Sequence, residues 1–427
     1  MKTALTPLLM VIAGIVLCVG SQAVARDVYQ QQPTGPYAEQ LMPASPQYDN
    51  GVADGDQPID GMTDPGQGYP QAPDGGMMDD GFLIDNGLWD GAPVGPCCAN
   101  CGGGSGCPPD WYTEQGVRIL TRSRPRDQVI GSSYDGMNLT AVLTSRSAAP
   151  DVSAAYATTI GHYFARDRLN RDHFVELTFW GVNGWKDKAE RRGDGDLYSE
   201  FALQGFFLDG FDTADLQSIY YASYTNNFEL NGRIVPRGRQ DRMVLHPNGK
   251  WRRECQPGTY MSYIYGLRFF QDHETFRFHG ESTTGGTTYT GDYDIVSHNN
   301  LLGLQFGADM TFRKCRWTWG IRAKLGPYIN FSDQASTINS GVALAPDYSR
   351  RLAAAKHEAS LIGETGFFAS YKFQPNLVGR AGYDFMWVTG MTLAPEQLQF
   401  TTNPVNQINT NGNIFYHGVS LSMEWLW

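Results

Sequence analysis

The last twelve residues, 416–427 (YHGVSLSMEWLW), alternate strictly in polarity. Val419, Leu421, Met423, Trp425 and Trp427 share one parity, and Ser420, Ser422 and Glu424 share the other. A two-residue period sends these sets to opposite faces of a strand. The same alternation recurs upstream, as in Leu302, Leu304, Phe306, Ala308, Met310 and Phe312 against Gly303, Gln305, Gly307, Asp309 and Thr311. Strands are expected near 114–122, 155–165, 173–184, 217–230, 259–279, 290–313, 316–330, 356–373, 377–390 and 414–427. Several run well past the five or six residues usual in a soluble sandwich and match the ~9–11 needed to cross a bilayer at a tilt. Connections alternate long and short, as in outer-membrane barrels, and only 231–258 breaks the rhythm. The expected fold is all-β: one antiparallel transmembrane β-barrel of about ten strands, or twelve if 200–208 also pairs.

The N-terminal quarter has no such period. Lys2, an apolar run over 8–19 and Ala23-Val24-Ala25 read as a secretory signal peptide over 1–25. Residues 26–110 are rich in Pro, Gly, Asp and Gln and read as a disordered acidic arm carrying a Cys cluster, with the barrel over 111–427. The formal charge of −11 sits in that arm, whose thirteen carboxylates face one base. Lys2 adds one positive charge, which leaves the barrel neutral. With no basic field, nucleic acid is not an expected partner. Both ends of a ten-stranded barrel fall on one side, so the arm is expected in the periplasm and the barrel in the bacterial outer membrane.

Several segments resemble a family of outer-membrane β-barrel porins found mainly in planctomycete genomes. The likeness covers about 111–427 and is carried by 298–307 (HNNLLGLQFG), 379–387 (GRAGYDFMW), 393–397 (LAPEQ), 415–421 (FYHGVSL) and 266–269 (GLRF). The resemblance implies a barrel and suggests a pore. It brings no catalytic residues.

The polar parity carries Glu176, Arg268, Gln305, Asp309, Arg322, Lys324, Glu364, Arg380, Asp384 and Glu424, which are expected to face the lumen. Such residues make either a selective constriction or a mutually paired filling. Mixed signs in near balance favour the filling, as does the size of barrels of about ten strands. Trp317, Trp319, Trp425 and Trp427 at one end, with Trp185 and Trp387 at the other, are expected to form aromatic girdles facing lipid. Of the seven cysteines, Cys18 falls in the signal. Cys97, Cys98, Cys101 and Cys107 allow a metal knuckle, intramolecular disulfides or crosslinks to neighbouring envelope proteins. Cys255 and Cys315 fall in two turns on the same side and are expected to pair. Carboxylates between 187 and 215 suggest a solvated loop rather than a calcium site.

No G-x-S-x-G, Walker A or H-E-x-x-H motif occurs. No enzyme activity, metal or cofactor is therefore expected, and lipid is the expected partner. The expected function is that of a structural or porin-like envelope protein, passing small solutes passively if open. An outer-membrane hydrolase using a rim histidine (His162, His173, His273 or His298), an adhesin acting through the long loops, and a soluble β-sandwich are the competing readings.

Overall fold

The computed structural model describes residues 110–148, 152–236, 242–245, 247, 251–254, 257–341, 348–401 and 404–427. The segment expected to be a signal peptide, the expected arm up to residue 109 with its cysteines, and Cys255 lie outside the described residues.

Ten strands close into an antiparallel ring: β1 (Trp111–Arg122), β4 (Val152–Arg166), β5 (Arg171–Ser199), β6 (Ala214–Pro236), β9 (Gly258–Thr284), β10 (Thr287–Lys314), β11 (Trp317–Ser340), β12 (Tyr348–Gln374), β13 (Leu377–Met391) and β14 (Gly412–Leu426). Each pairs with its neighbour in that order, and β14 returns to β1 in a ladder from Tyr112↔Leu426 to Arg122↔Tyr416. Trp111 and Trp427 exchange backbone hydrogen bonds of 2.9 and 3.0 Å, so the first and last strands meet at one end of the cylinder, the terminal end. Closure leaves the ring no unpaired edge.

The connections explain the rhythm of the sequence. At the terminal end, Cys315-Arg316 joins β10 to β11 as a two-residue hairpin, with Cys315 at φ 55°. Pro375-Asn376 joins β12 to β13 in the same way. The odd segment between β6 and β9 holds a separate hairpin, β7 (Arg242–Leu245) with β8 (Trp251–Glu254). At the far end β9 and β10 extend until only Gly285-Gly286, both at positive φ, separates them, where a long loop was expected.

Residues 200–208 do not add strands. Glu200–Leu203 is a single helical turn, α1; the two strands that bring the sheet to twelve come from 129–144 instead. About half of the acidic stretch 187–215 is strand rather than loop, because β5 runs to Ser199 and β6 starts at Ala214. A further hairpin, β2 (Val129–Tyr134) with β3 (Leu139–Thr144), attaches through β2 to the far end of β5. Between β13 and β14, a segment opening with a 3-10 turn (Ala394–Gln397) folds back inside the far end.

The polarity of the wall changes along its length. From Leu302 to Phe312 the outward file of β10 is apolar, and Leu304 is 52% exposed. That file spans about 34 Å along the strand, or about 26 Å of height at a tilt near 40°. Beyond this band the outward residues become polar, as in His273, Arg277, His279 and Glu281 on β9. The inward file there becomes mixed: Phe270, Phe276 and Phe278 are fully buried together with Asp272 and Glu274. Oily outside and wet inside thus describes the band alone.

Candidate functional site

The inward file of β9 passes through four layers of the lumen: Arg268, then Phe270, then Asp272 with Glu274, then Phe276 with Phe278. Alternation delivers one inward side chain from each neighbouring strand to each layer.

Glu229 of β6 anchors the Arg268 layer. Its carboxylate takes Lys324 Nζ at 3.0 and 3.1 Å, Gln305 Nε2 at 2.7 Å, and the side-chain amides of Asn227 and Asn231 at 3.0 Å each. Glu364 sits 3.0 Å from both Arg268 Nη1 and Lys324 Nζ, and 3.5 Å from Arg118 Nη1. Arg118 reaches on to Asp384 at 3.8 Å. Towards the terminal end, Arg322 grips both oxygens of Asp309 at 2.8 and 3.0 Å. Arg233 bridges Asp309 and Glu176, and Tyr112 donates to Glu176. Arg380 lies between Glu114 at 3.3 Å and Glu424 at 3.4 Å, with its guanidinium over Phe368. Charges this deep are tolerable only when paired and hydrogen-bonded. Seven carboxylates meet six cations in these layers, so no single sign dominates.

The structure brings all ten polar residues singled out from the sequence into this filling. Glu229, Arg118, Arg233 and Glu114 escaped that reading, although Asn227-x-Glu229-x-Asn231-x-Arg233 and Glu114-x-Gly116-x-Arg118 show the same two-residue polar file. Beyond the apolar layer, Arg122 pairs with Glu274, which also accepts Tyr221 Oη at 2.9 Å and the Ala394 backbone N–H at 2.7 Å. Asn299 holds Thr392 by two hydrogen bonds, from its amide at 2.9 Å and to its carbonyl oxygen at 2.7 Å. Leu398 and Phe400 of the same returning segment pack with Phe201, Phe211, Phe276, Phe278 and Tyr293. Gly210, at φ +87°, lies so close to Thr290 and Gly291 that a Cβ would meet their backbone. Two far-end connections thus plug the cylinder.

Five of the six tryptophans face outward: Trp317, Trp319, Trp387, Trp425 and Trp427 are 40–55% exposed. Trp185 does not. It is fully buried in the lumen, 5.5 Å from the Tyr416 ring, and donates to the Leu120 carbonyl at 3.3 Å. The cause is a β-bulge at Gly181-Val182, with Val182 at φ 58°, where three steps along β5 match two along β6. One extra residue exchanges the two faces from Asn183 onward.

The four rim histidines are scattered. His162 stacks on Trp111 at the terminal end. His173 lies 3.2 Å from Asp167 in the β4–β5 turn. His273 and His298 touch on the outer wall, with Asp333 2.9 Å from His298. Among the described residues no group of three or more His, Cys, Asp or Glu converges to hold a metal. In the turn, desolvation pushes the Asp167 carboxyl up, but hydrogen bonds from the Arg171 backbone and guanidinium and from His173 outweigh it and hold the group well below the usual carboxylate range. A depressed pKa contributes stability above the unfolded value, near 4, that is lost as pH falls towards the folded one. Asp167→Asn should therefore flatten the acid side of the stability–pH curve below about pH 4, as read by acid titration of unfolding.

These features define a β-barrel with a filled lumen. No known protein family and no characterised protein sequence matches the chain. Among solved structures it is similar to the outer membrane protease OmpT from Escherichia coli, at 11% identity and TM-score 0.35, over 75% of this chain and 97% of that one. It is also similar to the translocator domain of the autotransporter NalP from Neisseria meningitidis, at 8% identity and TM-score 0.30, over 76% and 91%. A Pseudomonas aeruginosa FadL homologue aligns at 8% identity and TM-score 0.22, over 74% and 90%. At these scores the three likenesses carry no functional argument.

Proposed function

We propose that the protein is a closed, structural β-barrel of a bacterial outer membrane, with its terminal end towards the periplasm. What supports membrane placement is the outward apolar band, about 26 Å tall by the strand geometry and edged by Trp317, Trp319, Trp425 and Trp427. What supports closure is the succession of paired ionic and apolar layers across the lumen. Of the structural and porin-like forms expected from sequence, this filling favours the first. Purified protein reconstituted in planar bilayers should show no ohmic steps at high occupancy. Steps that scale with protein inserted would restore the porin reading.

The same reading places a disulfide at the periplasmic rim. Gly258 pairs with Arg313, so Cys255 and Cys315 stand three residues before and two residues after one rung. Peptide mapping of the non-reduced protein should recover Cys255 linked to Cys315. Alkylation of both as free thiols would exclude the bridge.

A further inference from the structure

We propose that the barrel binds an ordered water molecule between Arg118, Trp180 and Asp384, and that this water completes the join between the Glu364 ion layer and the apolar layer above it. The void there is about 10 Å³ and lies inside the cylinder, with Tyr416 and Met386 on its wall. Room for the centre of a water molecule is what a bound water needs.

The chemistry of the wall calls for such a guest. Trp180 is 1% exposed, and its indole N–H has no hydrogen-bond partner among the described residues. Asp384 Oδ2 is buried and likewise accepts no hydrogen bond. Arg118 Nε stands 3.8 Å from that oxygen, near enough for attraction and too far for a hydrogen bond. Two donors, one acceptor and the Tyr416 hydroxyl, which is buried and likewise without a hydrogen-bond partner, therefore line the space, matching the two to four partners a buried water usually has. A polar contact stretched beyond 3.5 Å with room between the groups is the usual geometry of a water bridge. Left dry, the void would strand an indole donor and a carboxylate oxygen without hydrogen bonds, which buried polar groups rarely tolerate. The Arg118 guanidinium also lies 5.4 Å from the Trp180 ring, which holds donor and cation in fixed relation.

The test is a water-selective nuclear Overhauser measurement on the full-length barrel in detergent, with ¹⁵N-labelled tryptophan. Trp180→Phe identifies the Trp180 indole resonance by its disappearance. The expected result is a cross-peak from that indole proton to water, which a solvent-excluded indole with no bound water cannot give. A resolved Trp180 resonance without the cross-peak would overturn the proposal. Should the variant not fold, a high-resolution crystal structure of the unaltered chain decides: an oxygen peak about 3 Å from both Trp180 Nε1 and Asp384 Oδ2 supports the site, and flat density there refutes it.

Discussion

Replacing Glu229 with alanine should cost about 3–5 kcal/mol of barrel stability, the usual penalty for removing one member of a buried charge cluster. Glu229 is 2% exposed and receives hydrogen bonds from Lys324, Gln305, Asn227 and Asn231. Without it, Glu364 and Asp384 must offset Lys324, Arg268 and Arg118, leaving one excess positive charge in this part of the filling. Glu229→Gln keeps the shape and some hydrogen bonds, so it should fall between wild type and alanine. Glu229→Leu combined with Lys324→Met removes a pair of opposite charges and should recover much of the loss, because the penalty belongs to the unpaired charge. Urea unfolding of the refolded barrel measures all three. A Glu229→Ala midpoint close to wild type would mean that the inner layer is hydrated and loosely paired, and the closed-lumen reading would fail with it.

The second large effect lies on the opposite face of the wall. Phe306→Arg places a cation near the middle of the apolar band on β10, where Phe306 is 58% exposed. In a bilayer this should destabilise by about 2–4 kcal/mol, whereas Val296→Arg, on the same outward file beyond the band, should cost at most about 1 kcal/mol. The contrast matters more than either value. In water an exposed Phe-to-Arg change is nearly neutral, so equal and small effects at both positions would remove the membrane from the account. Refolding into lipid vesicles under denaturant provides the comparison.

Much of this architecture was legible in the chain. The ten segments chosen on alternation each became a barrel strand, because a wall between two different media imposes a two-residue period on every strand crossing it. The ten lumen residues followed from the same parity. Glu229, Arg118 and Arg233 lie on two-residue polar files that are equally regular in the sequence. Trp185 was a different kind of error. The bulge that turns it inward needs one residue out of phase, and nothing in Trp180-Gly181-Val182-Asn183 marks which residue the neighbouring strand will skip.

The sequence by itself determined where the ten barrel strands run and the face each shows within the apolar band. Only the tertiary structure decided that the lumen is filled to the far end. Above the band the medium outside is no longer oily, so polarity ceases to mark the inner face. Phe276 and Phe278 point in because the returning segment with Leu398 and Phe400, and the α1 connection with Phe201, lie against them, whereas Phe270 packs on Trp180 and Tyr416. Such connecting segments have no period of their own. Their place is set by the cavity that the finished cylinder offers, and that cavity exists only once distant strands have met.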